Sequence, residues 1–327
     1  MRPEPTRRLA LSAAAAVGAL GLAGCKGLEV LGPRPAPGAD VLTLEHAIAA
    51  EELMLARYRA AQAALPQGHS SRVVTAVASQ HQAHLVQLKS RLDLPQRLRT
   101  ARPKPSPTVP PPPAGSRAIL ATLARAEAQA SARLISELTA MPAALAQLMA
   151  SVGAAEAAHL VLLGHGKDAP PAAAITPASA VRGASPRAHQ DIAAMQTALA
   201  AEEAASYGYG VAGAHLSGAR YAAAAADYVA HNRARDSLSA MITALGGQPH
   251  PAAVAYRLPG PVRSAGQAVA VAADIEHEVT ATYLGLVAAA APGLRTFGAD
   301  GMRACAIRAA RWSGHSPAFP GLHLGRG

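Results

Sequence analysis

The segment Gly153–Leu163, GAAEAAHLVLL, is a run of small and apolar residues that contains one acid and one imidazole. Glu156 and His159 stand three positions apart, so a helix places both side chains on one face. Val152 and Leu163 extend that face at the spacing of a buried helical seam. The segment therefore predicts either two metal ligands on one helix or two polar residues that fall there by chance.

The composition of the 327-residue chain favours helices throughout. Half of the residues are hydrophobic but only 3% are aromatic, and alanine, the strongest helix former, is abundant. Runs of β-branched or aromatic residues with a period of two are almost absent. The formal charge of +10 is scattered and forms no basic stripe, which argues against a nucleic-acid site. We predict an all-α chain.

The first 24 residues have the form of an export signal. Basic residues precede an apolar stretch of about 15 residues, which is too short to span a membrane. Leu22–Cys25, LAGC, resembles the bacterial lipobox, in which the cysteine becomes the lipidated first residue. This resemblance implies an exported protein anchored through Cys25 to the outer face of the cell membrane. Thr6–Leu11 also resembles a twin-arginine signal, and a general secretion signal is the alternative.

Proline-rich segments divide the chain into two helical regions of similar plan. Each region has four predicted helices, and a long proline-bearing connection separates the second helix from the third. Two helical hairpins joined by a long crossover form a four-helix bundle of the ferritin-like kind. The motif AAEE recurs at 49–52 and 200–203, which indicates tandem copies of one domain. The predicted parts are a signal peptide at 1–24, a tether at 25–40, bundle 1 at 41–165, a linker at 166–187, bundle 2 at 188–315 and a tail at 316–327.

The first predicted bundle places acids and imidazoles on the buried seams of all four helices. Burying them without partners would cost several kcal/mol for each ion, and a metal ion would supply the missing charge. Mixed carboxylate and imidazole ligands suit iron, manganese or zinc. A buried seam of hydrogen-bonded acids and imidazoles without metal is the alternative. The candidate ligands are Glu51, its competitor Glu52, His81, His84, Glu127, Glu156 and His159.

Most of residues 41–165 resemble the ferritin-like dimetal carboxylate proteins. That family has one Glu on each of two helices and Glu-x-x-His on the other two. Glu51, Glu127 and the pair Glu156/His159 match this plan, while His81/His84 takes the place of the second Glu-x-x-His. The glutamate of each motif commonly bridges two metals in that family, and a histidine cannot bridge in the same way. The resemblance therefore leaves a mononuclear site and an altered dinuclear site open.

Residues 190–322 resemble a ferritin-like domain of unknown function found in bacterial lipoproteins. The likeness is carried by AAEEAASYGYGVAGA, HNRARDSL, GGQPHPAAVAYRLPGPV, the Glu276 helix with Tyr283, and Arg311-Trp312 followed by AFPGL. The resemblance implies the fold and no activity.

The acids of the first and third helices are kept in this second region, but the Glu-x-x-His motif is absent. We expect no metal there, because buried carboxylates need compensating charge that an arginine can supply. The predicted charge network joins Glu202 and Glu276 to Arg235 or Arg308.

These features favour a membrane-anchored envelope lipoprotein whose first bundle holds a metal centre with a storage, sensing or redox role. The alternative is a non-catalytic interaction module without metal, in which the proline-rich segments dock envelope protein partners. An enzyme, in that case a metal-dependent oxidoreductase, is less favoured because the sequence shows neither an open coordination position nor a substrate pocket.

Overall fold

The computed structural model describes residues 39–92, 107–169, 181, 187–289 and 291–322. Within these ranges the chain forms eight α-helices and no strand, which confirms the all-α prediction. The export signal, the lipobox, most of the predicted tether and most of the predicted linker lie outside the described residues. The helices are α1 Ala39–Ala64, α2 His69–Arg91, α3 Ser116–Glu137, α4 Ala143–Leu162, α5 Ala188–Gly213, α6 Gly218–Ala244, α7 Ala265–Val287 and α8 Pro292–Ser313.

Consecutive helices pair as hairpins: α1 packs on α2, α3 on α4, α5 on α6 and α7 on α8. We call α1–α4 the first helix group and α5–α8 the second. In each group the connection between the second and third helix includes described residues that are not helical, at 107–115 and 245–264. Proline is frequent in both connections. Because proline lacks a backbone N–H and its ring clashes with the preceding turn, these segments do not continue the helices.

The eighth helix begins earlier than the sequence predicts. We expect it over 298–314, whereas α8 runs from Pro292 to Ser313. Pro292 lies at the first helical position, where a missing N–H costs nothing and the fixed φ suits the helix. Gly314 ends the helix in the left-handed conformation, the usual role of a C-terminal glycine.

Helix α4 lies at the centre of the molecule. Most of its residues are buried, and it contacts α3 within its own group and α7 and α8 of the second group. It is the one described helix that is long and apolar enough to cross a membrane, yet 78% of the apolar window is buried inside the protein. Small side chains around its circumference let neighbouring helices approach from several sides.

The chain after α8 returns to the first helix group. We call residues 314–322 the strap; they include the first part of the tail predicted at 316–327. Gln80 of α2 donates a hydrogen bond to the backbone oxygen of Ser316 at 2.9 Å. Ser151 of α4 donates one to the backbone oxygen of Pro320 at 2.8 Å. The strap thereby connects the end of the second group to two helices of the first.

Candidate metal centre

Glu51 on α1 contacts two imidazoles from α2. Its Oε2 lies 2.8 Å from Nδ1 of His81, and its Oε1 lies 3.1 Å from Nδ1 of His84. All three side chains are buried. Burial favours the neutral acid, but His84 and His81 outweigh it and lower the pKa of Glu51 to about 2. Glu51 is therefore a carboxylate with both oxygens turned to imidazole nitrogens.

Glu127 on α3 is the second carboxylate of the cluster. Its Oε1 lies 2.8 Å from Nε2 of His81 and accepts a hydrogen bond from the Tyr58 hydroxyl. Its Oε2 lies 3.2 Å from Nδ1 of His159 on α4. Burial opposes ionisation, yet the charge of His81 lowers the pKa of Glu127 well below its usual value. Side chains from all four helices of the first group thus meet around two carboxylates.

The outer nitrogens of His84 and His159 fix the tautomers of both rings. Nε2 of His84 lies 2.6 Å from the backbone oxygen of Ala318, and Nε2 of His159 lies 3.0 Å from Oε1 of Gln80. A carbonyl oxygen can only accept, so each Nε2 carries the hydrogen. The amide nitrogen of Gln80 is committed to Ser316, which settles the orientation of that amide.

This tautomer leaves the inner nitrogens facing acceptors. In a neutral imidazole with hydrogen on Nε2, Nδ1 presents a lone pair. Burial lowers the pKa of His159 despite the opposing effect of Glu127, so this ring is neutral and its lone pair faces a carboxylate oxygen. Nδ1 of His84 likewise lies within contact distance of Oε1 of Glu51, at 3.1 Å. A cation between each pair of acceptors would convert a repulsive contact into two bonds.

His81 differs because both of its nitrogens face carboxylates, at 2.8 Å each. Burial favours the neutral ring, but Glu127 and Glu51 raise the pKa of His81 well above its usual value. As an imidazolium, His81 donates to both acids and needs no metal. The cluster therefore contains one imidazole whose two nitrogens both donate to acids, and one, His159, whose inner lone pair faces a carboxylate.

Glu156, the glutamate of the Glu-x-x-His motif on α4, lies beside the cluster. Its Oε2 is buried and has no hydrogen-bond partner among the described residues. Burial, together with Glu51 and Glu127, raises the pKa of Glu156 well above its usual value. Glu156 and Glu51 line a cavity of about 10 Å³, roughly the size that holds one water molecule. This orphaned oxygen is a further feature that a cation would satisfy.

In the part of the chain that the structure describes, two groups of three side chains could hold a metal ion, each with its ligand atoms within 4.8 Å of one another. The first is Glu51, His81 and His84, and the second is His81, Glu127 and His159. The residues present therefore fit a metal site. Glu52, the predicted competitor of Glu51, lies outside both groups and pairs with Lys89 at 2.7 Å near the surface.

The second helix group contains a related network. Nδ1 of His231 lies 2.6 Å from Oε2 of Glu202, and its Nε2 lies 3.1 Å from Oε1 of Glu276. Arg308 donates from Nε to Oε1 of Glu276 at 2.7 Å. Burial opposes the charge on Glu276, but Arg308 and His231 lower its pKa to about 2. Arg235 lies apart, at the surface, and pairs with Asp236.

Two tyrosine hydroxyls also donate to this network, although Oε2 of Glu276 is buried without a hydrogen-bond partner among the described residues. Tyr209 donates to Oε1 of Glu276 at 2.7 Å, and Tyr283 donates to Oε1 of Glu202 at 2.6 Å. The two carboxylates are matched by the charges of His231 and Arg308. Among the described residues of α5–α8, no group of three ligands comparable to those of the first group occurs.

The two networks occupy equivalent positions along the helices. Tyr58 follows Glu51 by seven residues, as Tyr209 follows Glu202. Cys305 and Arg308 follow Glu276 at the same spacings at which Glu156 and His159 follow Glu127. Tyr58, Tyr209 and His231 were not among the predicted site residues, although the Glu-to-Tyr spacing that recurs in both groups was a usable signal.

The family comparison covers the second helix group. Residues 194–324 match the family described as "Domain of unknown function (DUF4439)". This part of the chain is a DUF4439 domain. DUF4439 is a ferritin-like family, so the predicted likeness of residues 190–322 to a ferritin-like domain of unknown function is confirmed. The DUF4439 domain contains the charge network and the whole strap.

The chain is also similar to the crystal structure of a conserved hypothetical protein, rv2844, from Mycobacterium tuberculosis. The two share 31% sequence identity over 39% of this chain and 97% of that chain, with a TM-score of 0.37. No curated protein matches the chain.

Proposed function

We propose that the protein is a metal-binding lipoprotein of the cell envelope, anchored through Cys25, with two ferritin-like bundles of which the first holds a divalent metal ion. The observation that carries the proposal is a buried cluster of two carboxylates and three imidazoles, whose ligand atoms form two groups of three that lie within 4.8 Å of one another. Nitrogen and carboxylate donors in this combination suit iron, manganese or zinc. The proposed role is storage, sensing or redox chemistry of that metal.

One ion is favoured over two. His81 would release one proton on metal binding, and because the neutral imidazole then has a single lone pair, it would serve as a ligand in only one of the two ligand groups. Its other nitrogen then donates to the opposite carboxylate, the arrangement that commonly orients a metal-bound histidine. Tyr58 holds Glu127 in place through its hydroxyl. A bound ion would supply Lewis acidity, and iron or manganese would add redox chemistry.

An interaction module without metal is the second candidate, and the DUF4439 domain favours it. That domain keeps an imidazole between two buried carboxylates and balances the charge with Arg308. The fold can therefore bury such a cluster without any ion. The first helix group would follow the same plan if His84 and His159 were protonated.

Metal analysis decides between these candidates. The protein without its signal and lipid should be purified, loaded with Zn²⁺ or Fe²⁺ and analysed for bound metal, beside a His84→Ala/His159→Ala variant. We expect about one ion in the wild type and none in the variant, because each of the two candidate ligand groups loses one of its imidazoles. Glu202→Gln, in the equivalent position of the DUF4439 domain, should retain the ion.

The outcomes separate the two candidates. A metal-free wild type would favour the interaction module. Equal metal content in the wild type and the double variant would contradict this ligand assignment.

A further inference from the structure

We propose that the strap of the DUF4439 domain positions the metal ligands of the first helix group by fixing the tautomers of His84 and His159. The proposal rests on the proposed metal function. A segment outside α1–α4 thereby determines whether the inner nitrogens of these two imidazoles are available to a metal.

The strap acts on His84 directly. The backbone oxygen of Ala318 lies 2.6 Å from Nε2 of His84 and must accept the hydrogen of that nitrogen. The ring of Phe319 meets the same imidazole edge-on, with centroids 5.2 Å apart. His84 is fully buried, so water does not compete for its outer nitrogen.

The strap acts on His159 through Gln80. The side-chain nitrogen of Gln80 donates to the backbone oxygen of Ser316, and this bond turns Oε1 of Gln80 toward His159. If the amide were reversed, its NH₂ group would face Nε2 and would require the opposite tautomer. The strap thus determines which nitrogen of His159 carries hydrogen, although it does not touch that ring.

The strap is held at both ends. At one end, Gly314 closes α8 in the left-handed conformation. At the other, Pro320 accepts a hydrogen bond from Ser151, and Phe319 and Leu322 pack partly buried against the core. Pro317 and Pro320 restrict the strap in the unfolded chain, which lowers the entropy lost when it docks.

This arrangement has a direct consequence for metal affinity. A metal-bound histidine almost always donates its other N–H to a carbonyl or carboxylate, and loss of that partner typically weakens binding about 10- to 100-fold. Here both partners depend on the strap. If it detaches, each ring is free to place its hydrogen on Nδ1 and donate to the neighbouring carboxylate, which closes the site to metal.

The experiment uses the complete mature chain with the strap loosened by Pro317→Gly, Phe319→Ala and Pro320→Gly together. Zn²⁺ affinity is measured by competition titration, and Co²⁺ absorption reports the ligand geometry. We expect affinity to fall about 10- to 100-fold. The matched control is Ser90→Ala, which removes an exposed hydroxyl on α2 that donates to the backbone oxygen of Gln87; its affinity should equal that of the wild type.

A second readout needs no metal. In the metal-free protein, ¹⁵N NMR of the imidazoles should show hydrogen on Nε2 of His84 and His159, and the loosened strap should mix the tautomers. Unchanged tautomers and affinity in the loosened variant would overturn the proposal. If the loosened variant shows mixed tautomers but the wild type binds no metal, the proposed metal function is wrong. The control of the two imidazole tautomers by the strap would still be supported.

If the triple variant fails to fold by circular dichroism, Gln80→Leu provides the test. It removes the link to His159 and leaves the contact between His84 and Ala318 in place. We expect a changed tautomer at His159 alone and weaker Zn²⁺ binding. An unchanged His159 tautomer with wild-type affinity would overturn the proposal.

Discussion

His159 and Arg308 occupy equivalent positions in the two helix groups, and they carry different charges. Arg308 is a permanent cation that pairs with Glu276, so the DUF4439 domain balances its carboxylates from within the protein. His159 is a neutral ring turned to Glu127. Together with the exchange of Glu156 for Cys305 at the neighbouring equivalent position, this change of residue type separates a network that contains its own permanent cation from one that an external cation would complete.

The network of the DUF4439 domain predicts a pH dependence of stability. Burial favours neutral His231, but Glu276 and Glu202 raise its pKa from 6.5 to about 9. Because the pKa is higher in the folded state, the stability that His231 contributes is present below about pH 6.5 and is lost as the pH rises through about 9. At about 1.4 kcal/mol per pKa unit, the loss is about 3 kcal/mol.

Urea unfolding between pH 6 and pH 10, with a chelator present, measures this effect. Between pH 6 and pH 10, the free energy of unfolding should decrease in both proteins. We expect the decrease in His231→Gln to be about 3 kcal/mol smaller than the decrease in the wild type. The exposed His189 provides the control, and His189→Gln should retain the wild-type profile. An identical profile for His231→Gln would contradict the ion pairs assigned to His231.

Helical spacing predicts part of the candidate site and leaves part of it open. Residues seven apart share a face, which is why Glu51 and Tyr58 lie in one cluster with Glu127. Spacing cannot separate Glu51 from Glu52, because both lie near the buried face and packing decides which turns inward. The contact between Ala318 and His84 joins residues that are distant in sequence, and no local pattern predicts it.

At the scale of helices, the start of α8 shows how tertiary packing overrides propensity. Glycines at 293 and 298 weaken the helical pattern in sequence. In the structure Gly298 lies where a Cβ would stand 2.8 Å from Cβ of Leu286 and 2.9 Å from the backbone nitrogen of Val287. The glycine lets α8 approach α7, and the packing energy offsets its low propensity. The division of each group into four helices, by contrast, follows from the periodicity and the prolines of the sequence.

The close contact predicts a cost for Gly298→Ala. The added methyl group would meet backbone atoms of α7 that cannot move without shifting the helix, so we expect a loss of about 1–3 kcal/mol in the free energy of unfolding. Gly210 in α5 is exposed, and a methyl group added there would meet no neighbouring atom within 4 Å. Gly210→Ala should therefore gain about 0.5–1 kcal/mol from helix propensity. Urea unfolding of both variants checks the prediction, and equal effects would contradict it.

At the scale of the whole molecule, the two helix groups interlock. Arg295 of α8 is buried and donates to the backbone oxygens of Leu138 and Met141 in the first group, at 3.1 and 2.5 Å. Gln147 of α4 donates to the backbone oxygen of Leu284 in α7 at 2.9 Å. One hydrophobic core cluster contains residues of both groups. Sequence periodicity indicates which face of a helix is buried but not which helix covers it, so this packing could not be predicted.

The interlocking predicts that both helix groups unfold in one transition. Trp312, the single tryptophan of the chain, reports the DUF4439 domain by fluorescence, and circular dichroism reports all helices. We expect the two urea transitions to coincide, as they do for a cooperative unit. Separate midpoints in the wild type would show that the groups unfold independently.

Arg295→Met tests the link itself. It removes the donor to Leu138, Met141 and Ala289, whose backbone oxygens then lose a charged partner. We expect a loss of about 1.5–3 kcal/mol in the free energy of unfolding, with the fluorescence and dichroism midpoints moving apart because the groups are less tightly coupled. The exposed Arg220 provides the control, since Arg220→Met leaves the contact between the groups intact. Wild-type stability in Arg295→Met would rule out these three hydrogen bonds as a coupling element.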